Sequence, residues 1–289
     1  MPGTITVGLD GSPQALAAAD WAAAEAARTG KELRLVHAWL WQPLDIPLAL
    51  DTDVREKWAR NVLNEGRARL AKTFPDLPVG TELVVREPVD ALLAEAAEAD
   101  LLVLGSRGHG TLTGYLLGSV ALHVLRQATR PVVMVRDPRP ADAERRLDEV
   151  VVGVEDTGET GAPVLEFAFA AAAARGATLR AVRAWSIPSV VTWSLGSLWL
   201  ADEAGGLAPL NQKLLADALA PWREKYPAVK VIEDVEMGSA TEVLLSHGGA
   251  AALLVVGRRE RGVSPRRIGS VAHAALHHAP GAVAVVPHP

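Results

Sequence analysis

The segment Leu101 to Val120, LLVLGSRGHGTLTGYLLGSV, holds the residue types that cradle a phosphate. Two residues separate Gly105 from Gly108, and nine more lead to the pair Gly118-Ser119. Glycine lets a backbone approach an anion closely and adopt positive φ. Successive backbone N–H groups line a concavity, and the N-terminus of a following helix adds a favourable dipole. Ser119 supplies a hydroxyl and Arg107 a positive charge. The spacing is not that of a P-loop, because no lysine follows the glycines, and it is not the dinucleotide GxGxxG. The same letters also suit a plain strand-to-helix turn, so the rest of the chain must decide.

Other polar positions have two readings each. Asp10 suits a ligand contact or a cap for the helix that follows. Arg107 suits a phosphate or open solvent. Ser119 suits an N-cap hydroxyl, a phosphate donor or both. His273 and His277 stand four apart on a helical stretch, a spacing that permits metal ligation. No neighbouring carboxylate or third histidine completes a set, so a surface or interface role is expected and no metal site is assigned. His37 and Arg183 occupy matching positions, which argues against a catalytic histidine. With no GxSxG elbow, no kinase signature and no evident general base, no catalytic residue is assigned. Any hydrolysis is expected to be slow, with Mg²⁺ arriving on the nucleotide.

A chain of 289 residues suggests roughly two domains. A net charge of −5 argues against a nucleic-acid surface, and the absence of cysteine excludes disulfides and thiol chemistry. No secretory leader or membrane-length apolar run is visible, so a cytoplasmic protein with no membrane partner is expected.

The elements around these residues alternate. Thr4 to Leu9 reads as a strand, Pro13 to Thr29 as a helix capped by Ser12 and stopped by Gly30, and Lys31 to Trp39 as a second strand. Trp41 to Thr52 is a Pro-rich loop, Val54 to Thr73 a helix, Thr81 to Arg86 a strand and Asp90 to Ala99 a helix. Leu101 to Leu104 is a strand, Val120 to Gln127 a helix opened by Gly118-Ser119, and Val132 to Val135 a fifth strand. Short apolar strands alternating with helices predict a parallel sheet covered on both faces, with ligands outside the strand carboxyl ends. Asp10, His37-Ala38-Trp39 and Gly105 to Gly108 all lie at such ends.

The Pro-rich, charged stretch Asp137 to Asp148 reads as a linker. The pattern then repeats. Glu149 to Val154 followed by Glu155-Asp156-Thr157 matches the first strand and its end. Pro163 to Arg175 is a helix, TLRAVRAW (Thr178 to Trp185) matches ELRLVHAW (Glu32 to Trp39), and Ile187 to Leu207 is a long loop carrying Trp193 and Trp199. Leu210 to Tyr226, Val229 to Val235 and Ala240 to Ser246 follow as helix, strand and helix. LLVVG (Leu253 to Gly257) matches LLVLG (Leu101 to Gly105), Gly269-Ser270-Val271-Ala272 matches Gly118-Ser119-Val120-Ala121, and Val283 to Val286 matches Val132 to Val135. Matches in the same order mean an internal duplication.

Taken together, VGLDGSP (Val7 to Pro13), HAW (His37 to Trp39), GSRGHG with GSV (Gly105 to Val120) and VVMVRDP (Val132 to Pro138) resemble the universal stress protein family, in tandem form. The resemblance implies an α/β fold of two tandem Rossmann-like domains, residues 1–138 and 149–289. Each would be an open, mostly parallel five-stranded sheet with helices on both faces. It implies bound ATP. Asp10 would contact the nucleoside with Gly8 close by, and the backbone of Ala38 would meet the adenine. Gly105, Ser106, Arg107, Gly108, His109, Gly110, Gly118 and Ser119 would hold ribose and phosphates. In the second half Gly153, Gly257, Arg258, Gly269 and Ser270 stand at the corresponding places. That half departs from the pattern: Glu260 replaces Gly108, Gly257 to Gly269 is one residue shorter than Gly105 to Gly118, and Glu155-Asp156 replaces the single Asp10. Arg258, Arg259, Arg261, Arg266 and Arg267 could offset the added carboxylates.

The expectation is therefore an ATP-binding stress-response or growth-control regulator with Mg²⁺ carried by the nucleotide and an unknown protein partner. Pairing through the apolar fifth strands, between domains or chains, would give a pseudo-dimer or homodimer. Two rivals stand beside it: a nucleotide-free interaction module and an ATP-dependent adenylating enzyme.

Overall fold

The computed structural model describes residues 3–39, 52–106, 117–136, 147–186, 207–260 and 268–289, the side chains of 52–55 and 147 excepted. The chain divides into two compact units, with the boundary between residues 139 and 140. Arg107, Gly108, His109, Gly110, the loop from Trp41, Trp193, Trp199, Arg261, Arg266, Arg267 and most of the expected linker lie outside the described residues.

In unit 1 the order is β1 (Thr4–Gly8), α1 (Pro13–Thr29), β2 (Glu32–Trp39), α2 (Thr52–Thr73), β3 (Val79–Val85), α3 (Pro88–Glu98), β4 (Leu101–Gly105), α4 (Ser119–Gln127) and β5 (Val132–Val135). The strands lie in the order β3-β2-β1-β4-β5, every ladder parallel. The chain steps from β1 outward to β3 and then returns to β4. Right-handed crossovers accordingly put α1 and α2 on one face and α3 and α4 on the other, and each pair packs together. Buried Ala15, Ala18, Ala19, Ala22, Ala23 and Ala26 give α1 a small-residue stripe at helical spacing, which lets it sit close to the sheet. Ser12 caps it through its side chain, and Gly30 ends it at φ 64°. The strand order reverses between β1 and β4, and the carboxyl ends of strands at such a switch point are where open α/β sheets bind ligands.

Unit 2 repeats this with β6 (Leu147–Gly153), a 3₁₀ turn (Glu159–Gly161), α5 (Ala162–Arg175), β7 (Thr178–Trp185), α6 (Leu207–Lys225), β8 (Val231–Met237), α7 (Ala240–Gly248), β9 (Ala251–Arg259), α8 (Ser270–His278) and β10 (Ala282–His288). Its order is β10-β9-β6-β7-β8, again parallel throughout. The α/β class and the parallel five-stranded sheets agree with the sequence reading.

The element bounds differ in informative places. Helix α3 opens at Pro88, two residues before the expected Asp90, because proline suits the first helical position. The largest lengthening is that of β9. It was expected over Leu253 to Gly257 but runs over Ala251–Arg259, and β10 lengthens with it to His288. Their added residues pair with one another, Pro287 with Arg258 and His288 with Arg259.

Candidate functional site

In unit 1 the carboxyl edge is built from three turns. The first follows β1. Leu9 continues the strand ladder, its N–H donating to the Val36 carbonyl at 2.8 Å. Asp10 is exposed, and its Oδ1 accepts from the Ser12 N–H at 2.9 Å. Gly11 has φ +81°, a left-handed conformation that favours glycine, and Ser12 Oγ then accepts from the Ala15 N–H at 3.2 Å. Ser12, not Asp10, is therefore the cap of α1. Asp10 shapes the turn and keeps its carboxylate at the edge.

The second turn is set by His37. It is 6% exposed, and its Nδ1 lies 2.7 Å from the Leu9 carbonyl oxygen. A carbonyl only accepts, so Nδ1 carries the proton. This contact pins the end of β2, including Ala38, to the end of β1. Unit 2 solves the same problem with Arg183, whose Nη1 donates to the carbonyls of Val154 (3.3 Å) and Glu155 (2.9 Å) while Nε donates to Asn211 Oδ1 (3.0 Å). The shared role explains why histidine and arginine occupy matching positions.

The third turn follows β4, and its glycines fall into two kinds. A Cβ at Gly105 would stand 2.5 Å from the backbone carbon of Gln14, and one at Gly8 would stand 2.7 Å from Leu104 Cδ2. Both glycines are required by packing, the first by the opening turn of α1. Gly118 is different. Its φ is −63° and ψ 148°, an ordinary extended conformation. A Cβ there would meet nothing within 4 Å among the described residues. Neither backbone strain nor packing against the described residues calls for glycine at this position. Gly118 is the N-cap of α4, without a side-chain cap hydrogen bond, so Ser119 is the first helical residue and not the cap that the sequence suggested. First-turn amides of a helix lack intrahelical acceptors. Ser106 completes the strand end: its N–H donates to the Val135 carbonyl at 2.8 Å. Its hydroxyl is buried without a hydrogen-bond partner among the described residues.

Unit 2 retains the frame but fills it differently. Gly269 is open like Gly118, with φ −59° at the N-cap of α8. Gly257, however, is crowded by a side chain, since a Cβ would lie 2.7 Å from His288 Nε2. The Arg258 side chain is 1% exposed and pairs with Glu260 at 3.2 Å, and Arg259 pairs with Glu155 at 3.1 Å. The Glu260 N–H donates to the His288 carbonyl at 2.7 Å. Asp156 accepts from the Gly158 N–H at 2.8 Å and from the Thr160 hydroxyl. The Thr160 bond, aided by the Gly158 amide, holds its carboxyl below the usual range. Burial and the nearby Arg259 charge push His288 down, against a weaker opposite pull from Asp156 and Glu155. The arginine forks and the amide at position 260 are thus engaged within the protein.

A depression of about 460 Å³ lined by Glu32, Arg34, Arg67 and Gly80 lies at the amino ends of β2 and β3, the edge opposite Asp10 and Gly118. It is no part of the candidate site. Among the described residues no group of three or more His, Asp or Glu side chains is arranged to hold a metal. His273 and His277 stack with ring centroids 4.4 Å apart. No helix among the described residues is long and apolar enough to cross a membrane.

This geometry can be set beside known proteins. The universal stress protein family model matches residues 1–136 and again 147–287. The chain belongs to the universal stress protein family. A universal stress protein of Mycobacterium tuberculosis (strain H37Rv) is 33% identical over 295 residues, covering 95% of this chain and 94% of the relative. The crystal structure of a universal stress protein from Archaeoglobus fulgidus covers 99% of this chain and 98% of its own at 17% identity, with a TM-score of 0.70, a likeness of fold. A solved universal stress protein in complex with cAMP is 34% identical, covering 45% of this chain and 93% of its own, with a TM-score of 0.35. The cyclic nucleotide is a ligand of that protein.

Proposed function

We propose that this universal stress protein is an ATP-binding regulator whose nucleotide lies across the carboxyl edge of unit 1. The phosphates would rest on the Gly118-Ser119 end of α4, with Gly105 to Gly110 around them. The nucleoside would reach over Gly8 and Asp10 toward Ala38. Mg²⁺ would travel with the phosphates. One observation carries this reading: Gly118 is a glycine that neither its conformation nor packing among the described residues explains, at a helix N-terminus on the carboxyl edge where the strand order reverses between β1 and β4. An anion against the first-turn amides would account for it. Any hydrolysis would be slow, since no base faces the phosphate end among the described residues. Domain limits of 1–138 and 149–289, a cytoplasmic location, a protein partner and pairing through the fifth strands belong to the same proposal. Solution scattering that shows a monomer with uncovered edge strands would remove the last.

For unit 2 a second reading is favoured, that of a scaffold that keeps the fold without nucleotide. The engaged Arg258, Arg259 and Glu260 support it, although Gly153, Gly257, Arg258, Gly269 and Ser270 match the site by position.

The test is to extract and count nucleotide from freshly purified protein, with Gly118→Ala and Gly269→Ala alongside. Alanine fits both backbone conformations, so neither variant disturbs the fold. We expect about one equivalent per chain, with ATP affinity reduced about tenfold or more in Gly118→Ala and unchanged in Gly269→Ala; the size follows from losing close backbone contact to a charged ligand. Unchanged affinity in Gly118→Ala would sink the assignment. Steady release of pyrophosphate from ATP would favour an adenylating enzyme instead.

A further inference from the structure

Helix α2 holds an aromatic ring at the nucleoside end of this edge. Trp58 is 54% exposed, an unusual position for so large an apolar surface. Its ring meets that of His37 edge to face, the centroids 5.5 Å apart and the planes at 76°. The same indole borders the turn after β1, since a Cβ at Gly11 would lie 3.6 Å from Trp58 Cζ2. One ring therefore touches both segments that converge here, the Asp10–Gly11 turn and the His37–Ala38 end of β2. His37 is itself fixed by its bond to the Leu9 carbonyl, so the indole is braced by a rigid neighbour while much of it faces water.

We propose that Trp58 is the stacking platform for the purine ring of the bound nucleotide. The inference rests on the nucleotide reading above and adds the residue that selects the base. Phosphate belongs at the α4 end, where amides are offered. A flat apolar π-face with no cation over it among the described residues suits a heterocycle, and a purine offers more area to it than a pyrimidine. Unit 2 supplies the contrast. Counting back from the shared helix ends, Phe74-Pro75 and Tyr226-Pro227, Leu210 stands where Trp58 does, and it is 53% exposed. An aliphatic side chain there keeps the apolar position and loses the ring, in the same unit whose arginines are already engaged.

The experiment is calorimetric titration of the full chain with ATP and, separately, with inorganic tripolyphosphate, a probe that has no base. Wild type, Trp58→Leu (copying Leu210) and Trp58→Phe are compared, with circular dichroism confirming the fold. We expect Trp58→Leu to weaken ATP about tenfold while tripolyphosphate binds as in wild type, and Trp58→Phe to stay within about threefold of wild type, as stacking predicts. Equal ATP affinity in wild type and Trp58→Leu overturns the proposal, and so does an equal loss of ATP and tripolyphosphate. ATP bound by wild type no more tightly than tripolyphosphate also overturns it, while leaving the phosphate site standing. A wild-type chain that binds neither overturns the nucleotide reading itself.

Discussion

After β4 the chain leaves the sheet at Gly105; after the matching strand β9 it stays in the sheet through Arg259. The two segments match in sequence and share LLV, yet β4 ends at its glycine and β9 runs two residues past the matching one. What separates them is the supply of partners. In unit 2, β10 continues through Pro287 and His288, so Arg258 and Arg259 have backbone to pair with, and Glu155 and Glu260 answer the two arginine charges. A burial that leaves Arg258 1% exposed is tolerable only because the charge is paired. In unit 1, among the described residues, the last bond of the matching ladder is that of the Ser106 N–H to the Val135 carbonyl. The comparison teaches that the same glycine can close a strand in one repeat and lie inside a longer strand in the other, according to whether the neighbouring strand supplies pairing partners.

Three experiments sharpen or break this contrast. The largest effect is expected at the first glycine of each loop. Gly105→Ala pushes a methyl against the backbone of Gln14, whereas Gly257→Ala meets the His288 side chain, which can turn away. We expect urea denaturation to show a loss of about 2–3 kcal/mol for the first and about 1 kcal/mol for the second, as overpacking against fixed and movable neighbours predicts. Equal losses would mean that β9 is held more rigidly than its side-chain packing implies.

Next comes a matched arginine on the second strand of each unit. Arg180 bridges Glu149 at 3.1 Å and Asp234 at 2.5 Å with its side chain 21% exposed. Both carboxylates raise its affinity for the proton well beyond the ordinary guanidinium range. Arg34, 41% exposed, reaches Glu95 at 3.3 Å and Glu82 at 3.7 Å. Replacement by methionine leaves two facing carboxylates in each case. The expected cost is about 2 kcal/mol for Arg180→Met and under about 1 kcal/mol for Arg34→Met, because solvent screens the more exposed cluster.

The smallest effect concerns acid. His288 lies among Gly257, Arg259, Asp156 and Glu155, with its folded pKa below the ordinary value of 6.5. Its neutral ring stabilises unit 2 fully above the unfolded value, and that contribution is lost as pH falls through the lower folded value. The melting temperature of wild type should therefore exceed that of His288→Gln most clearly near neutral pH, with the gap narrowing on acidification toward pH 5. A gap that widens there would reverse the assigned direction.

Much of this architecture was readable from letters. The duplicated order of short apolar strands and alanine-rich helices gave the parallel sheets, and Ser12-Pro13 and Gly30 marked a helix correctly. The site was legible as positions but not as roles. Gly105 and Gly118 are the same letter, and only the structure separates a glycine crowded by Gln14 from one facing open space. Ser119 looked like a cap because serine favours that place, but the backbone assigns the cap to Gly118. The extension of β9 escaped notice because Gly257 reads as punctuation, and the partners that cancel that signal, Pro287 and His288, come some thirty residues later. Trp58 gave no motif at all: its meaning lies in a contact with His37 across the β2–α2 connection.

The paired run of β9 and β10 also acts as an evolutionary ratchet. Recovering a loop like that of unit 1 would require Glu260 to become small, Arg258 to lose its charge and the Arg259–His288 pairing to dissolve. Taken singly, the first step strips the interior guanidinium of an ion-pair partner, and the second leaves Glu260 without its arginine. The first of these steps costs the most, because it acts on the buried guanidinium, so sequence drift meets resistance there before any loop can form.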